Sequence, residues 1–341
     1  MKNFFCILFF IVLSAVGFTQ IDSSVYFYNK GLEENKSGRF AMAENYFSKS
    51  ILFRPDFTAA YIEKGKVNLS LRKIYDALQS FSKAYELDAA NEEVIKELAG
   101  LYFNNRQYQQ AIEFTKKCKL CKDADRMLGM IYYDTEDYAK ALNHLEKAVS
   151  SNKSDALASY TLGRTYLELE DEKKAISQFI NAIDNDNTNT KNAWMYELGL
   201  IYYNQEQYPN ALKYFQLAVD AGYNRTNDFN ENFGFAQLYA RDTDNGLKTL
   251  TSLLEKKPNN KELLGNIASA LYATAKYDDA LSYYEKLLSL DPKNAPALYM
   301  AGMTFQKKGE KEKGQKICDK AIEMDPSLAK NRQKKDLPTG L

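Results

Sequence analysis

Small residues recur along this chain with a period of about 34 residues, and this period restricts the folds open to it. The first column of small residues contains Gly31, Gly65, Ala99, Gly129, Gly163, Gly199, Gly234, Ala268 and Gly302. A second column follows the first at one fixed spacing in every copy: Ala43, Ala77, Ala111, Ala141, Ala175, Ala211, Gly246, Ala280 and Gly314. Two columns with one period predict repeated units in place of a single globular core.

A third column and the prolines follow the same period. Four positions after the second column stand mostly large apolar residues, with Thr115 and Cys318 as weaker members: Phe47, Phe81, Leu145, Phe179, Phe215, Leu250 and Tyr284. Pro258, Pro292 and Pro326 lie one repeat period apart, and Pro55 belongs to the same column. Proline ends a helix, so its place in the repeat is predicted to be a helix boundary.

The unit at residues 192–225 shows the pattern most clearly. It carries L-G-x-x-Y at 198–202 and A-x-x-x-F-x-x-A at 211–218, and each spacing places its residues on one face of a helix. Glu206 and Gln207 form a short connection, and Pro209 stands at an early helix position where its missing N–H costs little. One such helix pair cannot bury its own apolar face, so the units are expected to stack.

The period and the L-G-x-x-Y, A-x-x-x-F, A and P pattern resemble the tetratricopeptide repeat family. The resemblance implies an all-α fold, a right-handed α-solenoid of about nine helix-turn-helix repeats. The third repeat is shortened after Cys118. The array is expected at 24–328, with repeats at about 24–57, 58–91, 92–121, 122–155, 156–189, 192–225, 227–260, 261–294 and 295–328.

The N-terminal segment is expected to be a secretory signal peptide. Residues 1–20 contain one early lysine, then a run of apolar and small residues from Phe4 to Phe18, then small and polar residues. This run is short for a membrane span, which needs about 20 apolar residues, although a retained N-terminal anchor is the alternative. Residues 21–23 would be a linker, and the polar residues 329–341 a C-terminal cap or tail. No other stretch is apolar enough to span a bilayer. The signal peptide predicts export, to the periplasm or cell envelope of a bacterium or to the medium.

Charge and histidine content exclude several functions. The 45 basic residues balance 45 acidic ones, which gives no general attraction to nucleic acid or to an anionic membrane. His144 is the one histidine, so a histidine pair for a metal is impossible, and no catalytic motif is found. We expect no enzymatic activity, no cofactor and no metal.

The pair Cys118 and Cys121 forms a single C-x-x-C without a second pair or a nearby histidine, which does not make a zinc site. The favoured interpretation is that Cys118 is a small core residue at a helix end and Cys121 lies in the following turn. A local disulfide in an oxidising compartment is the alternative.

The resemblance also implies a binding surface. In tetratricopeptide arrays the first helices line a concave groove, and their inward positions here carry many aromatics. The candidates are Phe103, Arg126, Tyr133, Tyr160, Arg164, Tyr196, Leu200, Tyr203, Phe235, Tyr239, Tyr272 and Tyr299. The same positions include Met130, Leu167, Glu231 and Met303. Each tyrosine offers apolar area and a hydroxyl, although packing against the next repeat is an alternative role for any one of them.

The family's carboxylate clamp of lysine and asparagine is not reproduced here, because the ninth position of the first helices has no asparagine. Arg126 and Arg164, on adjacent repeats, are an alternative pair for holding a carboxylate. The expected function is therefore that of an exported adaptor or scaffold that binds a protein or peptide partner. The alternatives are a structural component that braces an envelope assembly through its convex face, and a carbohydrate-binding module.

Overall fold

The computed structural model describes residues 23–188 and 190–330 and is all-helical, with no strand among these residues. A 3₁₀ turn, Pro326–Ala329, follows the last helix. The predicted signal peptide, most of the predicted linker and residues 331–341 of the tail lie outside the described residues. The first helix, α1, occupies residues 23–36. The others are α2 (Phe40–Phe53), α3 (Thr58–Ser70), α4 (Ile74–Leu87), α5 (Glu92–Asn104), α6 (Tyr108–Lys117), α7 (Ala124–Asp134), α8 (Tyr138–Ser151), α9 (Ala156–Glu168), α10 (Glu172–Asn185), α11 (Lys191–Asn204), α12 (Tyr208–Asp220), α13 (Asn227–Tyr239), α14 (Thr243–Lys256), α15 (Lys261–Ala273), α16 (Tyr277–Leu290), α17 (Ala295–Lys308) and α18 (Lys311–Met324).

The chain divides into two compact units, one ending at Asp171 and the other beginning at Glu172. In the first unit, α3 packs against α4, α5 against α6, and α7 against α8. In the second unit, α11 packs against α12, α13 against α14, α15 against α16, and α17 against α18. This succession of helix pairs confirms the fold class predicted from the sequence.

The columns of small and large residues meet inside these helix pairs. A Cβ atom added to Gly65 would lie 2.7 Å from Cζ of Phe81, and one added to Gly129 would lie 2.5 Å from Cγ of Leu145. Both large side chains are fully buried. The glycine lets two helices approach until the large residue of the second helix lies against the backbone of the first, which explains the fixed spacing between the first and third columns.

One residue in each short turn after α1, α3, α5, α7, α9, α11, α13, α15 and α17 has the left-handed backbone conformation. Glycine occupies this position at Gly38 (φ 73°) and Gly309 (φ 103°). In the seven turns between them the residue is not glycine: Arg72, Arg106, Glu136, Glu170, Glu206, Arg241 and Ala275. In the turn after α11, the N–H of Gln207 donates to the carbonyl of Tyr202 at 2.9 Å, which closes the helix end. Hydrogen bonding thus holds ordinary residues in a conformation that favours glycine.

The structure has the alternative interpretation of the two neighbouring cysteines, a local disulfide, in place of the favoured one. Cys118 and Cys121 form a disulfide, and their Cα atoms are 5.4 Å apart. Helix α6 has only 10 residues and ends at Lys117, directly before the pair. Because the chain turns immediately after this short helix, Cys121 comes back to Cys118, which is itself buried.

Candidate functional site

A cleft on the first helices of the second unit brings together several of the predicted groove residues. It has a volume of about 270 Å³ and is open to solvent. Its walls come from α11, α13 and α15, three consecutive first helices. We call it the tyrosine cleft, and define it by its lining residues Tyr203, Glu231, Asn232, Phe235, Tyr239, Asn266 and Ser269.

Aromatic rings form one side of the tyrosine cleft. The ring centroids of Tyr203 and Tyr239 are 6.4 Å apart, and Tyr208, at the start of α12, stacks on Tyr239 at 4.9 Å. Burial is the main cause that raises the pKa of Tyr203 and of Tyr239. Both phenols therefore remain neutral at physiological pH, and each offers a π face together with a hydroxyl.

Glu231 adds a negative charge to the aromatic wall. Its side chain is partly buried and has no hydrogen-bond or ion-pair partner within residues 23–188 and 190–330. Burial, followed by the nearby carboxylates of Glu262 and Asp228, raises the pKa of Glu231. No lysine or arginine is among the lining residues, so nothing in the lining neutralises this carboxylate.

Amide and hydroxyl groups complete the lining. Asn232 donates from Nδ2 to the hydroxyl of Tyr196 at 2.9 Å, and Ser269 Oγ is 3.3 Å from the hydroxyl of Tyr284. Asn266 is exposed. The groove candidates drawn from the sequence do not include Asn232, Asn266 or Ser269. A signal was present, because Asn232 and Asn266 stand one repeat period apart, at the same position of successive first helices.

Other groove candidates of the second unit serve packing. Tyr196 stacks on Tyr223 at 4.7 Å and lies 5.4 Å from Phe229, between ring centroids. Leu200 packs against the same buried cluster. Tyr272 is partly buried and packs against the core around α15 and α16.

Two candidates are almost fully buried. Tyr299 is 7% exposed and belongs to a core cluster with Cys318 and Ala321, so its assignment to the groove is corrected. The reason is that α18 covers this face of α17. Phe235 is also 7% exposed, but it still lines the tyrosine cleft.

In the first unit the basic candidates have partners within the chain. Arg126 forms ion pairs with Asp123 at 2.7 Å and with Asp155 at 3.3 Å. These two carboxylates already occupy the guanidinium of Arg126. The structure therefore does not support the predicted pair of Arg126 and Arg164 as a clamp for a partner's carboxylate. The guanidinium of Arg164 lies 5.2 Å from the ring centroid of Tyr133 and 5.9 Å from that of Tyr160.

Phe103 is partly buried against the core of its own unit. The one histidine also lies in the first unit, where His144 Nδ1 is 2.7 Å from an oxygen of Asp125 and the ring stacks on Tyr132. In the part of the chain that the structure describes, no cluster of side chains has the composition of a metal site. No helix there is long and apolar enough to cross a membrane.

Comparison with known proteins agrees with the repeat pattern. Two tetratricopeptide repeat patterns match the chain, one at residues 126–190, 191–224 and 233–295, and the other at 271–331. Together these matches cover more than half of the chain.

Individual relatives are distant. RNA polymerase II-associated protein 3 of Xenopus laevis is 26% identical over 48% of this chain and 23% of its own length. Protein O-mannosyl-transferase TMTC3 of Homo sapiens is 25% identical over 44% of this chain and 17% of its own length. This chain thus spans less than a quarter of either relative.

Among solved structures, the crystal structure of YrrB, described as a TPR protein with an unusual peptide-binding site, is 25% identical and covers 57% of this chain. The match takes in 98% of that protein, with a TM-score of 0.41. Tetratricopeptide repeats are, in general, scaffolds for interaction with protein partners. The repeat patterns matched over most of the chain, together with the succession of helix pairs, show that this protein belongs to the tetratricopeptide repeat family.

Proposed function

We propose that this protein is an exported adaptor that binds a protein or peptide partner at the tyrosine cleft. The observation that carries the proposal is the convergence of Tyr203, Tyr239 and Asn266 from three consecutive first helices on one open cleft. Rigid helices hold these groups in place, so binding would cost little ordering of the site itself.

The chemistry of the cleft suits a peptide segment better than a small substrate. Tyrosine rings supply apolar area at a low entropy cost, and their hydroxyls bond to polar groups of a partner. The amide of Asn266 can donate to and accept from a peptide backbone. A volume of about 270 Å³ holds one or two side chains, so the rest of a bound segment would run along the neighbouring helix surfaces.

The proposal assigns binding, without catalysis, to this site. The cleft has neither a histidine nor a cysteine in its lining. Its one serine, Ser269, lies next to the hydroxyl of Tyr284 and has no general base beside it among the described hydrogen bonds. We also propose that the protein works without a cofactor and binds no nucleic acid, consistent with its balanced charge.

Two features support export: the composition of the N-terminal residues and a disulfide in the first unit. The composition of residues 1–20 is that of a secretory signal peptide. The disulfide between Cys118 and Cys121 is typical of a protein that matures in an oxidising compartment. We place the protein in a periplasm or cell envelope, or in the medium.

The test is affinity purification of the tagged chain from its native envelope, followed by mass spectrometry. The double variant Tyr203→Ala with Tyr239→Ala is compared with Tyr75→Ala. The control removes a ring that is 71% exposed on α4, which is the second helix of its pair. We expect the first variant to lose the partner and the second to retain it. Far-UV circular dichroism checks that both variants are folded. Retention of the same partner by the folded double variant would contradict the proposal.

A further inference from the structure

We infer that the tyrosine cleft selects a lysine or arginine side chain of the partner segment. This inference rests on the proposed function, and it names the chemical class that the cleft recognises. It depends on the relation between three features: a carboxylate without a partner, an aromatic wall beside it, and the lack of any basic residue in the lining.

The carboxylate of Glu231 is the first feature. A partly buried carboxylate loses part of its hydration, and an opposite charge or a hydrogen bond usually compensates for this loss. Glu231 has neither within the described ranges, 23–188 and 190–330. The carboxylates of Glu262 and Asp228 repel it and raise its pKa further. An incoming cation would relieve both the repulsion and the lost hydration.

The aromatic wall is the second feature. Tyr203 and Tyr239 line the cleft, with ring centroids 6.4 Å apart. The ring of Tyr208 contacts both of them, at 5.7 and 4.9 Å between centroids. A cation within about 6 Å of a ring face is attracted by the ring quadrupole, more strongly when water is excluded. Rings next to a carboxylate favour the charged head and the apolar stem of one basic side chain at the same time.

The chain itself uses this chemistry elsewhere. In the first unit, the guanidinium of Arg164 lies 5.2 and 5.9 Å from the ring centroids of Tyr133 and Tyr160. In the second unit, Lys286 Nζ lies 4.5 Å from the ring centroid of Tyr283. At the tyrosine cleft the rings and the carboxylate are present while the cation is not supplied by the lining residues. A basic side chain of the partner fits this arrangement.

Random peptides displayed on phage provide the test. They are selected on the purified full chain and counter-selected on the Tyr203→Ala, Tyr239→Ala variant. The affinities of the enriched synthetic peptides are measured by fluorescence anisotropy. For each peptide, a copy with its basic residue replaced by glutamine is measured alongside. The protein variants are Glu231→Gln and the control Glu285→Gln, which removes the same charge from an exposed site on α16.

We expect the enriched peptides to share a lysine or arginine. Replacing it, or making Glu231→Gln, should weaken binding by about tenfold or more, while Glu285→Gln should change affinity less than twofold. Enriched peptides that depend on Tyr203 and Tyr239 but tolerate loss of the basic residue would overturn the inference and leave the proposed function intact. If no peptide depends on the two tyrosines, the proposed function fails as well.

Discussion

Gly199 lies directly against the ring of Phe215. A Cβ atom added to Gly199 would be 2.5 Å from Cδ1 of that ring, closer than side-chain atoms approach one another in proteins. Phe215 is fully buried, so its ring has no free space to move into. This contact between α11 and α12 has the same residue spacing as those of Gly65 with Phe81 and Gly129 with Leu145.

Replacing Gly199 with alanine is therefore expected to destabilise the second unit. Alanine gains up to about 1 kcal/mol of helix propensity over glycine, but overpacking of a buried contact costs about 1–3 kcal/mol. We expect a net loss of about 1–2 kcal/mol in chemical denaturation followed by circular dichroism. Gly100→Ala is the matched control, because nothing lies within 4 Å of its added Cβ. That control should be neutral or stabilising, and equal effects of the two changes would refute the packing explanation.

Replacing Asn68 is expected to raise the free energy of unfolding, the opposite of the effect expected for Gly199. Its side chain is 0% exposed, and neither Nδ2 nor Oδ1 has a hydrogen-bond partner in the described part of the chain. Leucine is of similar size and has no polar group, so Asn68→Leu should stabilise the first unit by about 1–3 kcal/mol. The measurement is the shift of the thermal unfolding midpoint.

The control for Asn68 is Asn91→Leu. Asn91 Oδ1 accepts a hydrogen bond from the N–H of Val94 at 3.2 Å at the start of α5, so its loss should cost about 1 kcal/mol. A fall in stability for Asn68→Leu would show that this buried amide is satisfied in solution.

The left-handed turn residues predict a third effect. Ala275 has φ 63°, a conformation that costs a non-glycine residue about 1–2 kcal/mol, whereas Gly309 occupies the equivalent turn at φ 103°. Ala275→Gly should raise the unfolding free energy by up to about 1 kcal/mol, because the added chain entropy offsets part of the relief. Gly309→Ala should lower it. Changes of the same sign in both variants would contradict the assignment of strain to this position.

Glu231 makes stability depend on pH in a definite direction. Its pKa is raised in the folded chain, so its ionised form costs stability above the folded pKa, and this cost vanishes below the unfolded value. Glu231→Gln should therefore melt higher than the wild type at pH 7, and the difference should disappear as the pH falls below about 4. If the variant melts lower at pH 7, Glu231 has a stabilising partner in solution, which would argue against a carboxylate awaiting a cation.

The repeat fold was predictable because packing between helices requires small and large residues at positions that recur periodically in the sequence. Wherever a helix pair is in close contact, one position must be small and another large, as Gly199 and Phe215 show. The left-handed turns could not be predicted in this way, since a residue such as Glu206, which is not glycine, has φ 58° in the structure. The disulfide was an open alternative, because it depends on where the short helix α6 directs the chain.

The site was only partly predictable for a similar reason. Tyr196 and Tyr203 both stand at predicted groove positions of α11, yet the ring of Tyr196 packs against those of Tyr223 and Phe229. Tyr203 lines the cleft. The difference comes from residues outside α11, whose contacts with these two rings the repeat pattern does not specify.

Site-specific photo-crosslinking in the native envelope is the most direct test of the proposed binding site. A benzophenone amino acid replaces Asn266, which is exposed in the tyrosine cleft, or Tyr75, which is exposed on α4. Neither position holds a buried side chain, so both variants are expected to fold. Binding at the tyrosine cleft predicts a crosslinked partner from position 266 and none from position 75. A partner crosslinked from position 75 and not from position 266 would contradict it.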